Sequence, residues 1–119
     1  MHPYSTLTPD VVVEAVEALG HRCDGRVLAL NSYENRVYQV GREDDVPVVV
    51  KFYHPKRWST AAILEEHAFA IELTRAEVPV VAPDVVDGRS LFERGGFRYA
   101  VYRRQGGRWP ELGTKEERQ

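Results

Sequence analysis

Lys51 interrupts the run Val48-Val49-Val50-Lys51-Phe52-Tyr53, which is β-branched and aromatic along nearly its whole length and so is expected to form a strand. An ammonium buried without a partner costs on the order of several kcal/mol, so Lys51 must reach solvent or meet an anion. Two adjacent glutamates, Glu65 and Glu66, lie in a stretch with helical periodicity further along the chain. On a wheel at about 100° per residue, Ala62, Ile63, Phe69, Ala70 and Leu73 share an arc of about 120°. Glu66 falls in the middle of that arc, whereas Glu65 lies near Glu72 on a polar stripe. The spacing therefore predicts that Glu66 faces the sheet with Phe69 and Leu73 and forms an ion pair with Lys51. The simpler alternative is a snorkelling lysine and a glutamate tolerated at the edge of the core.

The elements that must position this pair can be read in order. Thr8-Pro9-Asp10 is a helix start, with Thr8 as N-cap, Pro9 at the first helical position and Asp10 in the first turn. Val12, Ala15, Val16 and Leu19 follow at helical spacing, and Gly20 suits the stop. Residues 26–30 and 36–40 read as strands joined by the polar stretch 31–35, and 41–45 reads as a turn into the lysine strand. Ser59 is the expected N-cap of a long helix reaching about Ala76, ended by Glu77-Val78-Pro79. A short extended piece over 80–86 is broken by Pro83; Asp87-Gly88 is a turn, and residues 90–94, a Gly95-Gly96 turn and a strand over 97–103 follow. The expected fold is α+β: a five-stranded antiparallel sheet with a long packed helix and a short N-terminal helix.

Length and composition narrow the function. The chain has 119 residues, 43% of them hydrophobic and 29% charged, with a formal net charge of −2. That size allows one domain or one lobe of something larger. The charge argues against a nucleic-acid binder. No run approaches the roughly 18 apolar residues of a membrane helix, and no signal-peptide core is visible, so a cytoplasmic protein with no membrane partner is expected. The one cysteine, Cys23, has no disulfide partner within the chain, and no Cys/His cluster has zinc-ligand spacing.

A strand lysine held by a helix glutamate positions a nucleotide's α- and β-phosphates in protein kinases and their relatives. The stretches 30–39, 49–53 followed by Pro55 and Arg57-Trp58, 63–67 and 77–83, together with Gly106-Gly107-Arg108, resemble the bacterial stress-response kinase A family. Its members are Ser/Thr protein kinases with the fold of aminoglycoside phosphotransferases and choline kinases. The resemblance covers residues 8 to 108 and implies a protein-kinase-like small lobe that binds ATP. By that resemblance the 31–35 turn covers the nucleotide, with phosphate contacts from Ser32 and from the backbone of its neighbours Tyr33, Glu34 and Asn35. Lys51 contacts the phosphates and Glu66 holds it. Tyr102 lies near the back of the adenine pocket, and a hinge over Arg103 to Gln105 offers backbone groups to adenine. The plainer readings are a polar hairpin turn at 31–35 and a solvated strand end at Arg103-Arg104.

The resemblance also defines what the sequence lacks. A catalytic loop of H-x-D-x-x-x-x-N type and a later metal-binding aspartate are both missing. His21-Arg22-Cys23-Asp24 begins like that loop but precedes the lysine strand and has Ala29 where asparagine belongs, so it reads as a helix-to-strand connection. The expectation is a nucleotide-binding lobe over 8–105, followed by the start of an interlobe linker and tail over 106–119. Without a catalytic lobe it is inactive alone, and Mg²⁺ is held only when that lobe is present. Expected partners are ATP and either a separate C-terminal kinase lobe or a second copy meeting the exposed cleft face. The rival reading is a non-catalytic binding or oligomerisation module. A transcription-linked domain finds no support, since no basic patch is visible.

Overall fold

The computed structural model describes residues 4–30, 35–43 and 45–103. Its elements are helix α1 (Pro9–Glu17), strands β1 (Cys23–Leu30), β2 (Arg36–Arg42) and β3 (Asp45–Phe52), helix α2 (Thr60–Arg75), and strands β4 (Phe92–Arg94) and β5 (Phe97–Arg103). The strands form one antiparallel sheet in the order β1-β2-β3-β5-β4, so the lysine strand is central. This is the expected α+β fold.

Both helix starts follow from their caps. Thr8 accepts from the Val11 amide and Ser59 from the Ala62 amide, each satisfying a first-turn N–H that the helix cannot pair. Gly20, at φ +98°, takes the left-handed conformation that turns the chain away after α1. Several strand boundaries differ from expectation, and β4 starts at Phe92, two residues later than read. β1 starts three residues early, because an irregularity between Cys23 and Val27 lets Cys23 pair with Arg42 across the bulge. β2 and β3 run further into their turn, where Arg42 pairs with Asp45 in the ladder and by an ion pair at 3.3 Å. The 80–86 stretch, outside the five expected strands, contributes an isolated bridge, Val86 to Arg89.

Strand alternation divides the core between two faces. Val48, Val50 and Phe52 join Val40, Tyr99 and Val101 against Val12, Ala15 and Val16 of α1. Two phenols secure that layer: Tyr99 donates to the Ala15 carbonyl at 2.8 Å and Tyr4 to the Phe52 carbonyl at 3.3 Å. Tyr53, Ala100 and Tyr102 point to the opposite face, where they pack with Ile63 of α2, Trp58 and Leu91. Lys51, two residues before Tyr53, lies on this second face between Val37 of β2 and Ala100 of β5.

Candidate active site

Lys51 is half-buried on the central strand, and its Nζ lies 5.0 Å from the centroid of the Tyr53 ring. An ammonium over the face of an aromatic ring gains about 0.5–2 kcal/mol, depending on desolvation. The expected ion pair is corrected here: among the described residues none joins Lys51 to Glu66. The reason is the rotation of α2. Its buried residues are Ile63 and His67, while Glu66 is exposed and Phe69 is 66% exposed. The packed stripe is centred on Ile63 and His67, which leaves Glu66 at its margin, where water solvates the carboxylate.

Glu66 nonetheless looks onto the same neighbourhood. Burial raises the pKa of Tyr102, the adjacent Tyr53 hydroxyl lowers it in part, and the negative charge of Glu66 raises it further. Burial likewise raises the Tyr53 phenol, with Tyr102 and Glu66 adding in the same direction. Tyr102 pairs with Val49 across β3–β5, which sets it on the face that carries Lys51. Lys51, Glu66, Tyr53 and Tyr102 therefore share one neighbourhood: a cation on the sheet, a carboxylate on the helix margin and two neutral phenols near both. Such a cation, neutralised by no carboxylate among the described residues, suits the oxygens of a phosphate.

The other predicted residues divide. Asn35 Oδ1 accepts from the His54 amide at 2.9 Å, fastening the start of β2 to the loop after β3. Arg103 pairs its guanidinium with Asp84 at 2.9 Å and the Asp84 amide donates to the Val101 carbonyl, so the 80–86 stretch is bound to the end of β5. Ser32, Tyr33, Glu34 and Gln105 lie outside the described residues. Asp24 is taken up by Arg26 at 2.6 Å, in keeping with a structural connection at residues 21–24. Burial and nearby Glu17 push the Cys23 thiol up to about 11, which keeps it protonated and unreactive at neutral pH. Among the described residues no group of His, Cys, Asp and Glu could hold a metal ion.

Sequence reasoning missed a buried polar chain beneath Lys51. His67 is 2% exposed, with Nε2 at 2.9 Å from the Tyr53 hydroxyl and Nδ1 at 2.8 Å from Ser90 Oγ. Burial, with the nearby charge of Lys51, pushes its pKa down to about 4, so the imidazole is neutral at pH 7. The sequence signal was faint: His67 falls at i+4 from Ile63, one residue off the arc that an apolar wheel selects.

Residues 26–119 match the phosphotransferase enzyme family. The chain belongs to that family. It is 49% identical over 105 residues to stress response kinase A of Escherichia coli K12, and 47% identical over the same length to the serine/threonine protein kinase RdoA of Salmonella typhimurium. Both alignments cover 88% of this chain and 32% of the relative, so the chain spans about a third of the length of the kinases it matches. Among solved structures it is similar to amicoumacin kinase hAmiN in complex with AMP-PNP, Ca²⁺ and Ami. That match has a TM-score of 0.70 and 25% identity, and covers 83% of this chain and 31% of that one. The small-lobe fold of this family of kinases is thus present in the sheet and two helices.

Proposed function

We propose that this chain is the ATP-binding N-terminal lobe of a Ser/Thr protein kinase of the stress-response type, acting in the cytoplasm. The observation that carries this reading is the position of Lys51: on the central strand, on one face with Tyr102, beside the Glu66 margin of α2, in a chain 49% identical to stress response kinase A. Lys51 serves the phosphates and Tyr102 the base, while Glu66, on the adjoining margin of α2, steadies the ammonium. The roles of Ser32 to Asn35 and of Arg103 to Gln105 rest on the sequence resemblance. The nucleotide supplies the transferable phosphoryl group, and Mg²⁺ would be held by residues of a C-terminal lobe. Since the 119 residues contain no catalytic loop, phosphoryl transfer requires that lobe.

The test is thermal unfolding with and without AMP-PNP. A nucleotide at about five times its Kd stabilises the native state by roughly 1 kcal/mol, a Tm shift of several degrees for a domain of this size. The wild type is expected to shift and Lys51→Met to lose most of the shift; equal shifts in both would remove Lys51 from the site.

One observation favours a second reading, a module that self-associates. Phe69 and Leu64 of α2 are 66% and 45% exposed. Sedimentation decides between the readings: a dimer that dissociates in Phe69→Ser supports the module, and a monomer at all concentrations opposes it.

A further inference from the structure

Helix α2 is attached to the sheet by little apolar surface, since Ile63 and His67 are its buried residues. Hydrophobic contact is non-directional, and so small a contact does not by itself fix how a helix is rotated about its axis. His67 adds direction. One edge of its ring meets Tyr53, whose own amide donates to the Arg98 carbonyl of β5 at 2.9 Å. The other edge meets Ser90, just ahead of β4. Both partners thus belong to the sheet side, and together they fix the plane of the imidazole.

The proton count is satisfied in either neutral tautomer. With the proton on Nδ1, the ring donates to Ser90 Oγ and accepts from the Tyr53 hydroxyl at Nε2. With it on Nε2, the ring donates to the Tyr53 oxygen and Ser90 donates to Nδ1. An apolar side chain at this position takes a partner from the buried Tyr53 hydroxyl, at about 1–3 kcal/mol, and from the part-buried Ser90 hydroxyl, at less.

Glu66 is the residue immediately before His67, about 100° away around the helix. The rotation that seats the imidazole between Tyr53 and Ser90 therefore also sets where Glu66 points, and Tyr53 carries Lys51 over its ring. We propose that His67 is a positioning residue: bonded to Tyr53 and Ser90, it indexes α2 to the sheet and so fixes Glu66 at the helix margin beside the phenols of the Lys51 face. Its consequence for ligand binding rests on the nucleotide reading above; the positional claim does not.

The discriminating variants are His67→Leu and His67→Gln, which are close in volume and both without a ring. Of the two, only glutamine can hydrogen-bond to Tyr53. Two readouts are taken on the full chain: the NMR signals of the Lys51 and Glu66 side-chain carbons, and the affinity for AMP-PNP. In His67→Gln both signals are expected near their wild-type positions, and in His67→Leu both move away. AMP-PNP binding is expected to be several-fold weaker in the leucine variant than in the glutamine one, because α2 is then no longer held in one rotation. Identical Lys51 and Glu66 signals in the two variants overturn the inference, whether or not nucleotide binds. Equal AMP-PNP affinities in the two variants, where the wild type binds, overturn it as well. A wild-type chain that takes up no AMP-PNP sinks the nucleotide reading instead, and the carbon signals alone then decide the positioning. Should His67→Leu fail to fold, Ser90→Ala breaks one edge of the same arrangement and moves the signals in the same direction by less.

Discussion

Lys51 holds its charge against a ring and pairs with no carboxylate among the described residues, and this difference from the expected ion pair has measurable consequences. In a double-mutant cycle with Lys51→Met and Glu66→Gln, the coupling in folding stability is expected to stay below about 0.5 kcal/mol without ligand. A coupling of 2 kcal/mol or more, of the order of a close buried pair, would show that the pair closes in the free chain. His67 makes a second prediction, in pH. Its folded value of about 4 lies below the ordinary 6.5, so between the two the unfolded chain binds more protons. The stability it contributes is complete above pH 6.5 and is lost as pH falls toward 4, roughly 2 kcal/mol by pH 4.5. His21, lowered mainly by burial and then by Arg42, acts in the same direction. Urea unfolding at pH 7 and 4.5 is expected to show this loss in the wild type and a much smaller one in His67→Gln. Lys51 was legible in the sequence because a lysine in a valine run is conspicuous. His67 was not, since a histidine inside a helix signals burial only when its partners, Tyr53 and Ser90, are known to lie around it.

At the scale of the element, α2 shows where pattern reasoning succeeds and fails. Its existence and its start were legible, because a serine cap ahead of alanines and leucines is a local signal. Its rotation was not. An apolar wheel assumes that the most hydrophobic arc is the buried one, and here that arc includes Phe69, which is 66% exposed, and excludes His67, which is buried. Two hydrogen bonds to the imidazole outweigh the apolar preference. Alanine substitution measures this directly. Ile63→Ala, at a fully buried position, is expected to cost about 2–4 kcal/mol, and Phe69→Ala less than about 1 kcal/mol. The reverse order would mean that α2 packs by the other face.

For the whole molecule, the antiparallel sheet with a long packed helix and a short N-terminal helix could be inferred from strand alternation, caps and turn residues, whereas the placing of the two helices on opposite faces could not. The pairing of β3 with β5 could not, because it joins segments some fifty residues apart and depends on α2 crossing between them. That pairing brings Lys51 and Tyr102 to one face, and the nucleotide reading depends on it. The most direct measurement is an NMR titration of the labelled chain with AMP-PNP, run beside Lys51→Met. The predicted result is a set of shifts confined to the Lys51 face of β2, β3 and β5 and to Tyr102 and Arg103, and largely absent from the variant. Shifts that map elsewhere, that persist unchanged in Lys51→Met, or that fail to occur at millimolar nucleotide would contradict it.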